Sequence, residues 1–238
     1  GGQWLFLRNL RTAAPDPTLF PDFDDNLRQA FQRETELFFE HQLRNDKSVL
    51  DMLRADYTFV NERLATHYGI PNIYGNHFRR VAYADDRRAG LLGHGSLLTV
   101  TSYPHRTSPV VRGKWLLDNL LGSPPPPPPP DVPGFPERGE DDRPATVRER
   151  LETHRANPAC ATCHAPMDPL GFALENFNAV GQWRTIDHEA GATIESSGIL
   201  PNGSSFAGIA EFRSALLAEP CAGQYIANLT SKVLTYAM

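Results

Sequence analysis

Two cysteines three positions apart, followed at once by a histidine, stand in the second half of the chain. They are Cys160, Cys163 and His164, within the run HRANPACATCHAPMDPLGFALENF at 154–177. Thiols at this spacing lie on one side of a helical turn, where each can form a thioether to one vinyl group of a haem. The next residue then offers its imidazole to the iron as the proximal ligand. Other uses of the pattern fit less well. A redox CxxC needs no following histidine and belongs beside a βαβ pattern, which is absent. A structural zinc takes four ligands. Cys221 is the one thiol left over, and no second CxxC and no HxxxH exists. Cys221 itself is expected to be a small buried apolar residue. The spacing therefore predicts one covalent haem c held by Cys160 and Cys163, with His164 on the iron.

The opposite face of the haem is open to several side chains. Met167 and His154 lie too near the attachment turn, on the proximal side. The candidates that remain are His188 in a loop, Met238 at the end of the chain, and His94 or His105 across an interface. A methionine there would raise the reduction potential and a histidine would lower it. A sixth ligand means an electron carrier. An open position means a haem oxidoreductase of peroxidase-like chemistry. A third possibility is a binding or assembly module carrying an accessory haem. No Ser-His-Asp order, phosphate loop or carboxylate pair supports a hydrolase.

The elements that must position these residues read as mainly helical. A long amphipathic helix is expected at about 24–44, capped by Asp24 or Asp25, with Leu27, Phe31, Phe38 and Leu43 inward and Glu34, Glu36 and Glu40 on the wet side. Short helices follow at 48–54 and 58–67, the second ending at Gly69 with His67 in its last turn. A strand is expected at 77–83, then a glycine-weakened helix at 89–100 containing His94. Another helix runs to Leu121, capped by Thr107 or Ser108 with Pro109 at its first position. Beyond the haem motif, Met167-Asp168-Pro169 should break the helix. Leu170, Leu174 and Phe177 should then cover the haem edge, with Trp183 nearby. A hairpin with Pro-Asn-Gly at its turn is expected at 192–208, and two helices complete the chain.

Composition bounds the rest. The chain has 238 residues, 40% apolar and 21% charged, enough for a sizeable core. Its net charge of −5 argues against a nucleic-acid binder. Residues 1–123 carry 15 basic and 14 acidic side chains, whereas 124–238 carry 8 and 14, so the acidity sits with the haem motif. Such a surface can orient a basic redox partner. No stretch is apolar for 18 residues, so no membrane span is expected. Seven consecutive prolines, 124–130, predict a polyproline II strut of roughly 20 Å. The expected division is a helical segment at 1–75 that ends a larger upstream domain, a small helical domain at 76–123, a proline-rich charged linker at 124–144, and a cytochrome c-like haem domain at 145–238.

Three long runs carry a family resemblance. They are GLLGHGSLLTVTSYPHRTSPVVRGKWLLDNLLGSPPPPPPPDVP, HRANPACATCHAPMDPLGFALENFNAVGQWRT and SGILPNGSSFAG. Together they resemble the planctomycete-type c-type cytochrome proteins that carry domains of unknown function 1592, 1588 and 1585. On that resemblance residues 1–75 are similar to the end of the first domain, about 77–131 to the second, and about 145–238 to the third, which bears the haem. The resemblance implies an exported, periplasmic or envelope-linked protein. Its redox partner would be a separate protein or an upstream haem domain of the same full-length chain. It implies no particular reaction. The chain departs from the family pattern at its end, where Tyr236-Ala237-Met238 stands for the usual LTYALGR continuation.

Overall fold

The computed structural model describes residues 1–127, 145–188 and 190–237. Most of the expected linker, 128–144, lies outside the described residues, as does the distal-ligand candidate Met238. The fold is mainly α, with three short antiparallel strand pairs.

Helix α1, Asp25–Arg44, begins where Asp24 accepts a hydrogen bond from the Leu27 amide at 2.7 Å. Its buried stripe is Leu27, Ala30, Phe31 and Phe38. Two expectations for this helix fail. Leu43 is 75% exposed, because the core ends before the last turn. Glu34, expected in water, is fully buried and accepts hydrogen bonds from Thr58 Oγ1 and Tyr68 Oη, both at 2.6 Å. Tyr68 Oη in turn accepts the Gly95 amide at 2.7 Å. Polar groups so satisfied can be buried at modest cost.

Helix α2 is the short turn Asp51–Arg54. The segment expected as a helix from residue 58 starts instead as strand β1, Tyr57–Val60, paired antiparallel with β2, Arg79–Ala82. Aromatic and β-branched residues favour this pleated, half-buried setting. The helix, α3, is only Glu62–Tyr68; Asn61 caps it, and Gly69 ends it at φ 71°. His67 does not cap α3. Its Nε2 meets the Val180 carbonyl at 2.8 Å, far along the chain.

Helix α4, Gly95–Val100, needs its first glycine. A Cβ there would lie 2.2 Å from the Phe31 ring. Helix α5, Pro109–Trp115, is capped by Ser108, whose Oγ accepts from the Val111 amide at 3.2 Å. It continues as a π-helical segment, Leu116–Leu121, ending at Gly122. Asn228 donates to the Asn119 and Leu120 carbonyls of that segment at 2.7 and 3.2 Å.

Helix α6, Val147–Arg155, opens with a capping box between Thr146 and Glu149. Helix α7, Pro158–Phe172, carries the cysteine motif. It runs unbroken through Pro166 and Pro169, contrary to expectation. A proline inside a helix removes one hydrogen bond and crowds the preceding turn. Here packing outweighs that cost. Met167, Leu170, Phe172, Ala173 and Leu174 are all buried along the second half of the helix and its exit. Two strand pairs follow: β3, Ile186–Asp187, with β4, Ala192–Thr193, and β5, Gly198–Ile199, with β6, Ser205–Phe206. The Pro-Asn-Gly turn joins the second pair, with Gly203 at φ 89°. Helices α8, Ile209–Leu216, and α9, Cys221–Ala237, complete the described chain.

One hydrophobic cluster takes in Leu5 and Phe31, Leu92 and Leu116, and Leu170, Phe177 and Tyr225. This cluster draws residues from both sides of the positions expected as boundaries, near 75 and 123. The most extensive helix contact is α5 against α7. It is a close crossing made by two glycines. A Cβ on Gly113 would lie 1.9 Å from the Met167 carbonyl oxygen, and one on Gly171 would lie 1.9 Å from that of Pro109.

Candidate haem attachment site

Helix α7 presents the motif on its first two turns. Asn157 caps the helix by accepting the Ala159 amide at 3.0 Å, and Pro158 occupies the first turn. Cys160 and Cys163 are free thiols, each partly exposed. The Cys163 thiol faces the Pro126 carbonyl at 3.7 Å, so the chain leaving the π segment passes beside the motif. Cys221 is buried, and burial pushes its thiol above the ordinary range, as suits a packing residue.

His164 is held by a residue that the sequence alone did not single out. Its Nδ1 lies 2.9 Å from Oδ1 of Asp168, one helical turn on. A carboxylate can only accept, so Nδ1–H is the donor in this contact. Asp168 is fully buried. Its Oδ2 has no hydrogen bond, and the Arg155 guanidinium stands 3.6 Å away. The available sign was the i, i+4 spacing of His164 and Asp168, masked by the prolines on either side.

The His154 ring meets His164 edge-on, with centroids 4.8 Å apart. Burial, then the neighbouring His164, lowers the His154 pKa, with Asp168 opposing. His154 thus packs against the His164 ring. The distal candidates are placed as follows. His188 is exposed in the turn after β3, and His105 is exposed in the loop before α5. His94 is fully buried elsewhere, its Nδ1 3.0 Å from Thr35 Oγ1. None of these three is brought against His164 by the contacts described. Leu170, Leu174 and Phe177, expected at a haem edge, belong to the main core instead. Trp183 packs edge-on against Phe177 at 5.1 Å.

The donor set fits a covalently attached haem. Two unpaired thiols lie one turn apart on a helix, and the next residue has its ring proton directed to a buried acceptor. Among the described residues no three His, Cys, Asp or Glu side chains cluster as they would around a bare metal ion.

Two family models match this chain. Residues 1–70 match PSD4, a protein of unknown function (DUF1592), and residues 88–187 match PSCyt3, a protein of unknown function (DUF1588). No curated protein and no solved structure matches. The DUF1588 stretch contains both helices of the glycine crossing and all of the CxxCH run. One family match thus spans both α5 and the motif. The DUF1592 stretch supplies α1 and α3, and His67 ties it to Val180 in the DUF1588 stretch. Among the described residues no helix is long and apolar enough to cross a membrane.

Proposed function

We propose that the protein is a c-type cytochrome that transfers electrons through one haem c. Cys160 and Cys163 hold it as thioethers, and His164 Nε2 is the proximal ligand. The observation that carries this reading is the 2.9 Å contact of His164 Nδ1 with the buried Asp168 carboxylate, directly after two free thiols one turn apart. A histidine that donates Nδ1–H to a buried carboxylate is the usual form of an iron or zinc ligand. The bound haem supplies a one-electron couple. The chain's own part would be to hold the group through Cys160, Cys163 and His164 and to set the charge around it. The acidic balance of residues 124–238 suits a basic partner surface. Thioether attachment and the likeness to planctomycete-type cytochromes point to an exported, periplasmic or envelope location. The run SGILPNGSSFAG supports a DUF1585-like continuation after residue 187.

An alkaline pyridine haemochrome spectrum of protein matured in an export-competent host tests this. It should give the signature of a haem with both vinyls saturated, and Cys160→Ala or Cys163→Ala should lose it. A polypeptide of bare mass with no added haem would overturn the reading. Carbon monoxide added to the reduced protein should leave a carrier's spectrum unchanged. An immediate shift would favour an open-site oxidoreductase.

A further inference from the structure

The proximal histidine of this chain has an ionic partner, and that partner has a counter-charge of its own. Asp168 lies on the same helix as His164, fully buried, with Oδ1 at 2.9 Å from Nδ1. Its other oxygen faces Arg155 of α6 at 3.6 Å, without a hydrogen bond between them. The Arg155 side chain is 22% exposed, and its guanidinium lies 6.0 Å from the Phe172 ring centroid. His164, Asp168 and Arg155 thus form a row running away from the ligand nitrogen: a ring N–H, the carboxylate that faces it and a guanidinium beyond.

We propose that Asp168 is the residue that positions His164 and sets the reduction potential of the iron it binds, with Arg155 as a partial counterweight. This rests on the reading of Cys160, Cys163 and His164 as haem ligands. The physics has two parts. A carboxylate accepting from Nδ1–H makes Nε2 more basic and fixes the ring's rotation about its bond to the chain. A buried negative charge also interacts strongly, because little water screens it. Both effects favour the more positive, oxidised state of the iron, and both lower the potential. Arg155 opposes them by drawing charge from Oδ2. A neutral acceptor such as a backbone carbonyl would leave the potential higher, so the aspartate implies a donor-side or low-potential role for this haem.

The opposite signs of two substitutions test the proposal. In the haem-loaded protein, Asp168→Asn keeps the shape and the acceptor oxygen but removes the charge, so the midpoint potential should rise. Arg155→Gln removes the counter-charge, so the potential should fall. Simple loosening of the site would move both variants the same way. Unchanged potentials, or shifts of the same sign, with haem still attached would overturn the role of Asp168 and leave the cytochrome reading intact. If Asp168→Asn fails to fold, Arg155→Gln decides alone: a fall supports the proposal, and no change or a rise overturns it. If the parent protein carries no haem under conditions that mature other c-type cytochromes, both readings fall together.

Discussion

Glu34 is the residue whose setting departs furthest from its type. Burial pushes its carboxyl up to about 7 from 4.5, although hydrogen bonds from Thr58 and Tyr68 and the charge of Arg88 pull the other way. The folded chain therefore keeps this proton between pH 4.5 and 7 while the unfolded chain releases it. The carboxyl costs stability as pH rises through that window, by roughly 3 kcal/mol at most above pH 7. Glu34→Gln has no such proton to lose. Its melting temperature relative to the parent should climb from pH 4.5 to 7 and then level off, read by calorimetry across that range. A difference independent of pH would show that Glu34 does not titrate in this window. Burial also lowers His67 to about 4 and His94 to about 3, which removes stability as pH falls below 6.5. Those terms are common to both proteins and cancel in the comparison.

Among the elements, α5 and α7 depend on each other through glycine. With Gly113 against the Met167 carbonyl and Gly171 against that of Pro109, a methyl at either position must push the backbones apart. Gly171→Ala should cost about 3 kcal/mol, at the upper end for overpacking, because the clash is with backbone and not with a flexible side chain. A shift in urea midpoint measures this, with Gly2→Ala as control, since nothing lies within 4 Å of a Cβ there. Equal midpoints would refute the close crossing. The same contact explains why α7 survives two internal prolines: its buried face is held by α5, so lost helical hydrogen bonds do not decide its fate.

For the whole molecule, Arg112 joins the part before the proline run to the part after it. It is fully buried, and burial lowers its guanidinium to about 10 even beside Glu175. It donates to the carbonyls of Leu174, Phe177 and Asn178 at 2.7, 2.9 and 3.0 Å, and to Glu175 Oε1 at 3.2 Å. Arg112→Met would take a buried donor from each of these acceptors and weaken the charge balance at Glu175, at about 3–5 kcal/mol. Because one core spans both parts, denaturant unfolding followed by tryptophan fluorescence and by far-ultraviolet circular dichroism should coincide. Trp4, Trp115 and Trp183 report from both sides of the proline run. Two separated transitions would instead restore independent folding of 1–123 and 145–238.

The motif behind the proposed attachment was legible in the chain because CxxCH is a local pattern, complete within about one helical turn. So were α1 with its Asp24 cap, the Ser108-Pro109 start of α5 and the Pro-Asn-Gly turn, each governed by neighbours in sequence. What sequence could not decide depends on distant partners. Glu34 reads as a solvated acid until Thr58 and Tyr68 arrive to bind it. Residues 58–60 read as helix until β2 pairs with them. Asp168 reads as a helix breaker until the packing of α7 on α5 keeps the helix whole and stands it one turn below His164. Local propensity is worth tenths of a kilocalorie per residue, whereas burial against a partner is worth about 1.5–3 kcal/mol per large side chain, so tertiary contact had the last word.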